Sequence, residues 1–252
     1  MLTERQQHLL EFVIRTYVQT AEPVGSAAVC ASAGMDVSPA TIRNDMQALE
    51  ELGFLTQPHT SAGRVPTDRA YRWFVDELVR RDEHALVPIR DRRRIDAVVG
   101  EATFDSHSLS RHLAATLADL LDSAVITHVR DHDDFYKFGL SELMAFPEFQ
   151  RLERTMHVMH FVDRFDDLFG GIEDAFFGSW RSEPYRIFIG RENPVRTIQD
   201  EAVIVARYRL PGNLSGLLTI IGPMRMDYRR NLALLAYATD ALSRAAEESD
   251  AY

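Results

Sequence analysis

The sequence predicts an α+β protein with two domains, an N-terminal winged helix-turn-helix and a larger domain that mixes helices and strands. Three observations support this fold class. Three helical patterns follow one another over residues 1–52, a short β-prone segment and a turn-rich stretch come next, and helix and strand patterns share residues 105–252. With 252 residues and 46% hydrophobic content, the chain is long enough to bury two cores.

Composition narrows the possible cellular location. The N-terminus has no basic region followed by an apolar run, and no apolar stretch approaches about twenty residues, so neither export nor membrane insertion is predicted. We therefore expect a cytoplasmic protein. Cys30 is the only cysteine, which excludes an internal disulfide and leaves a small thiol on a helix as the simplest interpretation.

The first two predicted helices begin a helix-turn-helix. Thr3 and Gln6 form a capping box at the start of a helix that runs to about residue 20, and Glu22 and Pro23 end it. A second, short helix is expected over residues 26–34, because a glycine closes that segment.

The third helix, predicted over residues 39–52, carries the strongest functional signal. Its sequence begins SPATIRNDMQALEELGFL, with Ser38 as N-cap, Pro39 at the first helical position and Gly53 after the last turn. Apolar residues recur at helical spacing and predict one buried face, while a polar stripe faces outward. The buried face consists of Ile42, Met46, Leu49 and Leu52, and the outward stripe of Ala40, Arg43, Asn44, Gln47 and Glu51.

A wing is predicted directly after this helix. Residues 54–56 are β-prone, residues 58–66 are rich in turn formers, and Val65 begins a returning strand. A fourth helix is expected over residues 67–81, with Tyr71, Phe74, Val75 and Leu78 on its inner face. We assign residues 1–81 to the winged-helix domain and residues 82–104 to a linker or connecting helix.

Residues 105–252 are assigned to the second domain. Predicted helices cover residues 93–99 and 108–121, the latter capped by Ser106 or Ser108, and strands cover residues 124–129 and 135–138 on either side of an acidic loop. A short helix from residue 141, a break at Pro147 and helices to residue 159 and over 164–180 follow. Strands at 185–189, 202–208 and 214–221 precede a terminal helix at 227–247, which packs on the sheet or meets a second subunit.

The outward stripe and the wing suit binding to double-stranded DNA. Arg43 can address a guanine and Asn44 an adenine in the major groove. Short hydroxyl side chains can reach phosphates, and the wing carries an imidazole and a guanidinium. The hydroxyls are those of Ser38, Thr41, Thr60 and Ser61, and the wing residues are His59 and Arg64. A winged helix that binds another protein through a solvated polar face is the alternative.

Net charge opposes the DNA-binding interpretation. The formal charge is −10, and over residues 1–81 eight arginines meet ten carboxylates, whereas phosphate contacts need local positive charge. Clustering of arginines would have to overcome this balance. The arginines that can share a face with the helix stripe are Arg43, Arg64, Arg69 and Arg72.

Other constellations give weaker signals. One cluster has metal-ligand chemistry, and an acidic hairpin loop explains it without a metal; its members are His128, Asp131, His132, Asp133 and Asp134. His157 and His160 lie one turn apart, and residues 190–193 form either a ligand-binding turn or an ordinary one. Because no phosphate-binding glycine loop or nucleophile motif occurs, we predict no catalytic residue, metal or cofactor.

Several segments resemble the heat-inducible transcription repressor family HrcA. They are PVGS from residue 23, SPATIRNDMQALEELGFL from residue 38, QPHTSAGRVPTDRAYRWFVD from residue 57, PEF from residue 147, IGREN from residue 189 and GPMRMDY from residue 222. The order of these segments is that of the family, and they cover the first eighty and the last sixty or so residues.

This resemblance implies a dimeric repressor that binds the CIRCE inverted repeat upstream of chaperone genes, with a GAF-like second domain and the GroE chaperonin as a partner that maintains activity. The implied DNA contacts are Ser38, Thr41, Arg43 and Asn44 on the helix and His59, Thr60, Ser61, Gly63 and Arg64 on the wing; Gln47 joins them from the outward stripe.

The chain departs from the family in the middle. Family members carry a dimerising insertion before the PEF segment, and here residues 124–138 pass almost directly to Pro147. The GAF-like domain is therefore expected to be truncated or rearranged, and we predict that the terminal helix and the helices over residues 93–121 form the dimer interface. Two alternatives remain, a repressor controlled by a small ligand of the GAF-like domain and a metal-dependent hydrolase that uses the His128 cluster.

Overall fold

The protein forms two compact units. In a computed structural model, residues 2–32, 34, 37–60, 62–81, 85–101, 105–130, 135–166 and 184–250 are described. The first unit comprises Met1–Glu83 together with Met224–Asp227, and the second comprises His84–Pro223 and Tyr228–Tyr252. No helix within the described ranges is both long and apolar enough to cross a bilayer.

The first unit begins with the three helices of a helix-turn-helix. Helix α1 spans Glu4–Thr20, α2 spans Ser26–Ser32 and α3 spans Pro39–Glu51. The predicted capping box is present, because the Thr3 hydroxyl accepts a hydrogen bond from the Gln6 amide while the Gln6 side chain accepts one from the Thr3 amide.

The wing is a small antiparallel sheet. Strand β1 (Leu55–Thr56) pairs with β2 (Val65–Pro66), and helix α4 (Asp68–Arg81) follows. The bridge between Val24 and Arg64 adds a third chain segment to this sheet. The predicted inner face of α4, including Tyr71 and Phe74, is buried as expected.

The second unit is built on one antiparallel sheet with the strand order β4-β3-β7-β6-β5. The strands, in chain order, are β3 (Ala124–Val129), β4 (Phe135–Phe138), β5 (Tyr185–Ile189), β6 (Glu201–Leu210) and β7 (Leu214–Pro223). The hairpin predicted from β3 to β4 is confirmed by the pairing of Val125 with Phe138, while its loop at residues 131–134 lies outside the described part of the chain.

Helices cover both faces of this sheet. The second unit contains α5 (Ile89–Val99), α6 (Ser106–Leu121), α7 (Leu140–Met144), α8 (Leu152–Asp163) and α9 (Tyr228–Asp250), and 3-10 turns at Pro147–Gln150, Gly190–Glu192 and Arg196–Ile198. Since neighbouring strand residues point to opposite faces, Thr127 and Tyr208 face α6, while Ile126 and Val203 share a core with α8.

The N-cap of α6 is not one of the residues that the sequence predicts. The cap of α6 was predicted at Ser106 or Ser108, and this is wrong: Asp105 is the N-cap, and its carboxylate accepts the Ser108 amide at 2.8 Å. Aspartate performs this role as well as serine, so the sequence alone did not separate the two. The helix predicted over residues 164–180 lies for most of its length outside the described residues.

The terminal helix packs on the sheet of its own chain. Along α9 the apolar side chains of Leu232, Leu235, Ala238 and Leu242 are buried, and the helix contacts β6, α5 and α6. Helix α6 likewise buries its leucines within the unit. The apolar positions on which the predicted dimer interface rested are therefore occupied within one protomer.

Three buried hydroxyls tie α6 to the sheet. The Tyr208 hydroxyl lies 2.5 Å from the Ser110 hydroxyl and 2.6 Å from that of Thr127, which also donates to the Leu217 carbonyl at 3.0 Å. Gly216 makes room for the tyrosine, since a β-carbon there would lie 2.2 Å from the ring. Burial raises the pKa of Tyr208, so the phenol stays protonated and all three hydroxyls are satisfied.

A buried ion pair joins α8 to the start of β6. The Arg154 guanidinium donates to both carboxylate oxygens of Glu201, at 2.7 and 2.8 Å, and to the Asp200 carbonyl at 2.6 Å. The Glu201 side chain is 1% exposed and that of Arg154 is 22% exposed. Burial raises the pKa of Glu201, while the guanidinium opposes that rise.

We expect Arg154→Ala to destabilise the second unit by about 3–5 kcal/mol near pH 8, because it leaves a buried carboxylate without its cation. Without the guanidinium the pKa of Glu201 rises further, so the folded state binds a proton that the unfolded chain has lost, and stability falls as pH rises. Unfolding by urea at pH 5 and pH 8 measures the difference. Arg154→Ala/Glu201→Gln is the control and should lose this pH dependence; an equal loss for Arg154→Ala at both pH values contradicts the account.

Candidate nucleic-acid interface

Helix α3 is anchored by an apolar face and by one buried carboxylate. Ile42 and Leu49 are fully buried and Met46 nearly so, whereas Leu52, also predicted on this face, is 44% exposed because it follows the last helical residue. Asp45 is 7% exposed and accepts two hydrogen bonds from the Arg5 guanidinium of α1, at 2.6 and 3.2 Å. The sequence reasoning missed Asp45, although its position three residues after Ile42, on the apolar side of the helix, was a usable signal.

Both ends of α3 are defined by local hydrogen bonds. The Ser38 hydroxyl accepts the Thr41 amide at 3.2 Å and lies 2.9 Å from the Thr41 hydroxyl, so these two side chains hold each other at the helix start. At the other end Gly53 adopts a φ of 77°, and the Arg69 guanidinium donates to the Leu52 carbonyl at 2.7 Å. These hydrogen bonds define where α3 begins and ends, and the polar stripe lies between the two ends.

The predicted polar stripe is exposed. Arg43, Asn44 and Gln47 are all exposed on the side of α3 opposite its buried face. The Arg43 Nε donates to the Ser26 hydroxyl at 3.3 Å, and the Gln47 amide donates to Glu51 at 3.1 Å. These weak contacts orient the side chains while leaving them accessible to a ligand.

The wing tip is closed by a glutamine. The Gln57 side-chain amide donates to the carbonyls of Thr60 and Ala62, both at 2.9 Å, and the Ala62 amide donates to the His59 carbonyl at 2.8 Å. His59 and Thr60 are exposed at this tip. Ser61, a further predicted contact, lies outside the described residues.

Gly63 and Arg64, also predicted to contact DNA, are packed at the base of the wing. A β-carbon at Gly63 would lie 2.4 Å from the Val24 carbonyl carbon, so only glycine fits against this backbone. Arg64 forms an ion pair with Glu50 of α3 at 2.9 Å, and its side chain is 20% exposed. The structure therefore places these two residues at the junction between wing and helix.

A cleft brings the helix stripe and the wing base together. It has a volume of about 430 Å³, and Arg43 and Gln47 line it from α3 while Gly63 and Arg64 line it from the wing. Residues 24–27, at the start of α2, close its third side. His59 and Thr60 do not line this cleft.

Ion pairs change the charge balance of the first unit locally. Of the four arginines expected to share a face, Arg64 pairs with Glu50 and Arg72 with Asp76, while Arg69 lies 4.7 Å above the Phe54 ring. Within the described ranges Arg43 forms no ion pair. Its charge is thus not compensated by a neighbouring carboxylate, as an approach to phosphate or guanine requires.

Among the described residues, the other candidates do not come together in a site. His128 lies in β3 and stacks on Phe135 with ring centres 4.4 Å apart, whereas residues 131–134 fall outside the described chain. His157 and His160 are exposed on α8. The described residues contain no group of three or more histidine, cysteine, aspartate or glutamate side chains that could hold a metal ion.

The IGREN segment folds as a structural turn. The buried Asn193 side chain donates to the carbonyls of Gly190, Ile198 and Glu201 at 2.8 to 3.1 Å, and Glu192 accepts the Ile189 amide at 3.0 Å. These bonds join the end of β5 to the start of β6. Of the two interpretations of this segment, a ligand-binding turn and an ordinary turn, they favour the ordinary turn.

A separate groove lies on the second unit. Its volume is about 540 Å³, and it is bordered by Asp122, by Ser141 and Glu142 of α7, and by the turn that follows α7. That turn contributes Ala145, Phe146 and Pro147. The groove mixes apolar and acidic side chains, and it is the surface to which the ligand-control alternative applies.

Comparison with known proteins identifies the family. A family model described as "Winged helix-turn-helix transcription repressor, HrcA DNA-binding" matches residues 1–78, and one described as "HrcA protein C terminal domain" matches residues 88–232. The heat-inducible transcription repressors HrcA of Syntrophobacter fumaroxidans and Natranaerobius thermophilus are 27% and 28% identical, and each alignment covers 98% of both chains.

Those two alignments extend over 344 and 338 residues, so each relative contains residues that have no counterpart in the 252 of this chain. This agrees with the shortened form expected from the sequence. A crystal structure of a hypothetical protein at 2.2 Å resolution shares the fold, with a TM-score of 0.81 and 19% identity over 99% of this chain and all of that one.

The N-terminal family model names a DNA-binding transcription repressor and the curated relatives are named as repressors, a family of non-enzymatic regulators, so the hydrolase alternative for His128 is set aside. The two family models together span most of the sequence, from the winged helix to the start of α9. The chain belongs to the HrcA family of heat-inducible transcription repressors and carries a DNA-binding winged helix at its N-terminus.

Proposed function

We propose that this protein is a homodimeric repressor that binds a CIRCE-type inverted repeat upstream of chaperone genes. The observation that carries the proposal is the exposed stripe of Arg43, Asn44 and Gln47 beside the wing, on a helix whose opposite face buries Ile42, Asp45, Met46 and Leu49. Because its target is chromosomal DNA, the proposed site of action is the cytoplasm. Mapping of bound DNA across the genome tests the proposal, which requires inverted repeats near chaperone genes among the strongest sites.

The proposed contacts divide into base readout and backbone positioning. Arg43 and Asn44 read base edges, with Gln47 beside them, while Ser38, Thr41, Thr60 and Ser61 reach phosphates. His59 is exposed at the wing tip, whereas Gly63 and Arg64 line the cleft from the base of the wing. In domain terms, residues 1–81 bind DNA, residues 82–104 connect, and residues 105–252 form a GAF-like regulatory and dimerisation domain.

Replacing Arg43 tests the readout. We expect Arg43→Ala to weaken operator binding by about 1–3 kcal/mol and to relax the preference for one base, because a bidentate contact to guanine is lost. Fluorescence anisotropy with the operator, with single-base variants of it and with random duplex measures both effects. Arg80→Ala on α4 removes the same charge from the same unit and is the matched control; equal losses for Arg43→Ala on operator and random DNA contradict the assignment.

Dimerisation is proposed from the symmetry of the operator, since an inverted repeat matches a two-fold protein. Large apolar side chains that could meet a second copy lie at the start of α5, where Leu86 is 88% and Ile89 70% exposed. Leu86 and Ile89 lie before residues 93–121, which the sequence predicts for the interface together with the terminal helix, and the buried faces of α6 and α9 do not contribute to the proposed contact.

Light scattering is expected to give the mass of two chains at micromolar concentration, with and without operator. Ile89→Glu should weaken the dimer by about 1.5–3 kcal/mol, because a buried isoleucine at the interface would become a desolvated carboxylate. Leu152→Glu, which alters an equally exposed leucine on α8, is the control. A single-chain mass for the unaltered protein contradicts the dimer.

Control of repression is proposed to involve the GroE chaperonin, with a small ligand in the groove beside α7 as the alternative. The family resemblance supports the first and the mixed lining of the groove supports the second. Titration of the protein with operator DNA distinguishes the two kinds of control. If the chaperonin controls repression, adding purified chaperonin should raise the fraction of protein that binds operator. If a ligand in the groove controls it, Phe146→Ala should change that fraction.

A further inference from the structure

We infer that Arg64 is a positioning residue, which fixes the wing to the recognition helix through Glu50 and the Val24 backbone rather than binding DNA phosphate itself. The inference rests on the proposed function, because it concerns the same surface. It assigns a role to Glu50 and Val24 and revises the role that sequence reasoning gave to Arg64.

The backbone of Arg64 is the first tether. Its amide donates to the Val24 carbonyl and its carbonyl accepts the Val24 amide, both at 2.9 Å. This pair of bonds joins the wing to the chain just before α2, and Val24 is 3% exposed. The wing base is therefore part of the folded body of the first unit.

The side chain of Arg64 is the second tether. Its Nη2 lies 2.9 Å from the Glu50 Oε2 on α3, and its Nε is itself buried and meets no acceptor among the described residues. To reach a phosphate, the guanidinium would have to leave both the carboxylate and this buried position.

Gly63 allows the wing to pack closely against this backbone. A β-carbon there would lie 2.4 to 2.7 Å from the backbone of Val24 and Gly25, which cannot move aside as a side chain can. Three successive constraints thus act on two neighbouring residues, and together they set the angle between the wing and α3. Fixing this angle before binding avoids the entropy of ordering the wing on DNA.

Electrostatics makes the inference testable, because the two roles predict opposite effects of removing Glu50. If Arg64 binds phosphate, Glu50→Ala frees it and also removes a negative charge near the DNA, so affinity rises. If Arg64 positions the wing, Glu50→Ala releases the wing and affinity falls.

The experiment measures operator affinity at several salt concentrations for Glu50→Ala, Arg64→Ala and the double variant. We expect each single variant to raise the Kd about tenfold, or ~1.4 kcal/mol. The double variant should bind operator no more weakly than the single variant with the lower affinity, because both changes remove the same interaction. The slope of log K against log salt should stay unchanged, since no phosphate contact is lost. The matched control is Glu77→Ala on α4, which removes a carboxylate paired with Arg80 and should leave affinity unchanged.

Hydrogen exchange over residues 57–66 of the full chain gives a readout that does not depend on DNA. Faster exchange in Glu50→Ala and Arg64→Ala, at an unchanged melting temperature, supports the tether, and unchanged exchange overturns it. An affinity of Glu50→Ala equal to or above that of the unaltered protein, with a salt slope for Arg64→Ala reduced by about one, also overturns it. If the unaltered protein binds no inverted repeat, the proposed function is wrong. The hydrogen-exchange result alone then decides whether Arg64 positions the wing.

Discussion

The paired hydrogen bonds between Val24 and Arg64 are the constraint on which the DNA-binding surface depends. They require the wing to return to the chain segment before α2, and Gly63 allows the two backbones to approach closely. The wing then has one orientation relative to α3, whose own position is fixed by Ile42, Leu49 and the buried Asp45.

An acidic protein can present a basic surface when its carboxylates are engaged elsewhere. In the first unit Asp45, Glu50 and Glu77 are each paired with an arginine, so their charges are partly neutralised where they stand. Arg43 forms no such pair among the described residues, and it lines the cleft between helix and wing. Net charge over the whole chain therefore says little about the field at this surface, because screening limits its reach to about 10 Å.

In the second unit, polar groups specify how the layers fit together. The Arg154–Glu201 pair fixes α8 at the start of β6, and the Tyr208 hydroxyl links α6 to the opposite face of the sheet. Such buried groups add little net stability, yet an alternative register would leave them without partners. The same packing uses the apolar faces of α6 and α9 inside the protomer, which moves any contact with a second copy to other surfaces.

The sequence by itself determined the element order, the capping of α1 and α3, and the exposed stripe of Arg43 and Asn44, because these depend on residues within a few positions of one another. Only the tertiary structure decided the rest. Arg64 meets Glu50 fourteen residues away and Val24 forty residues away, and Glu201 meets Arg154 across forty-seven. Such partners are brought together by packing between distant segments, so the local spacing of residues in the sequence does not predict them.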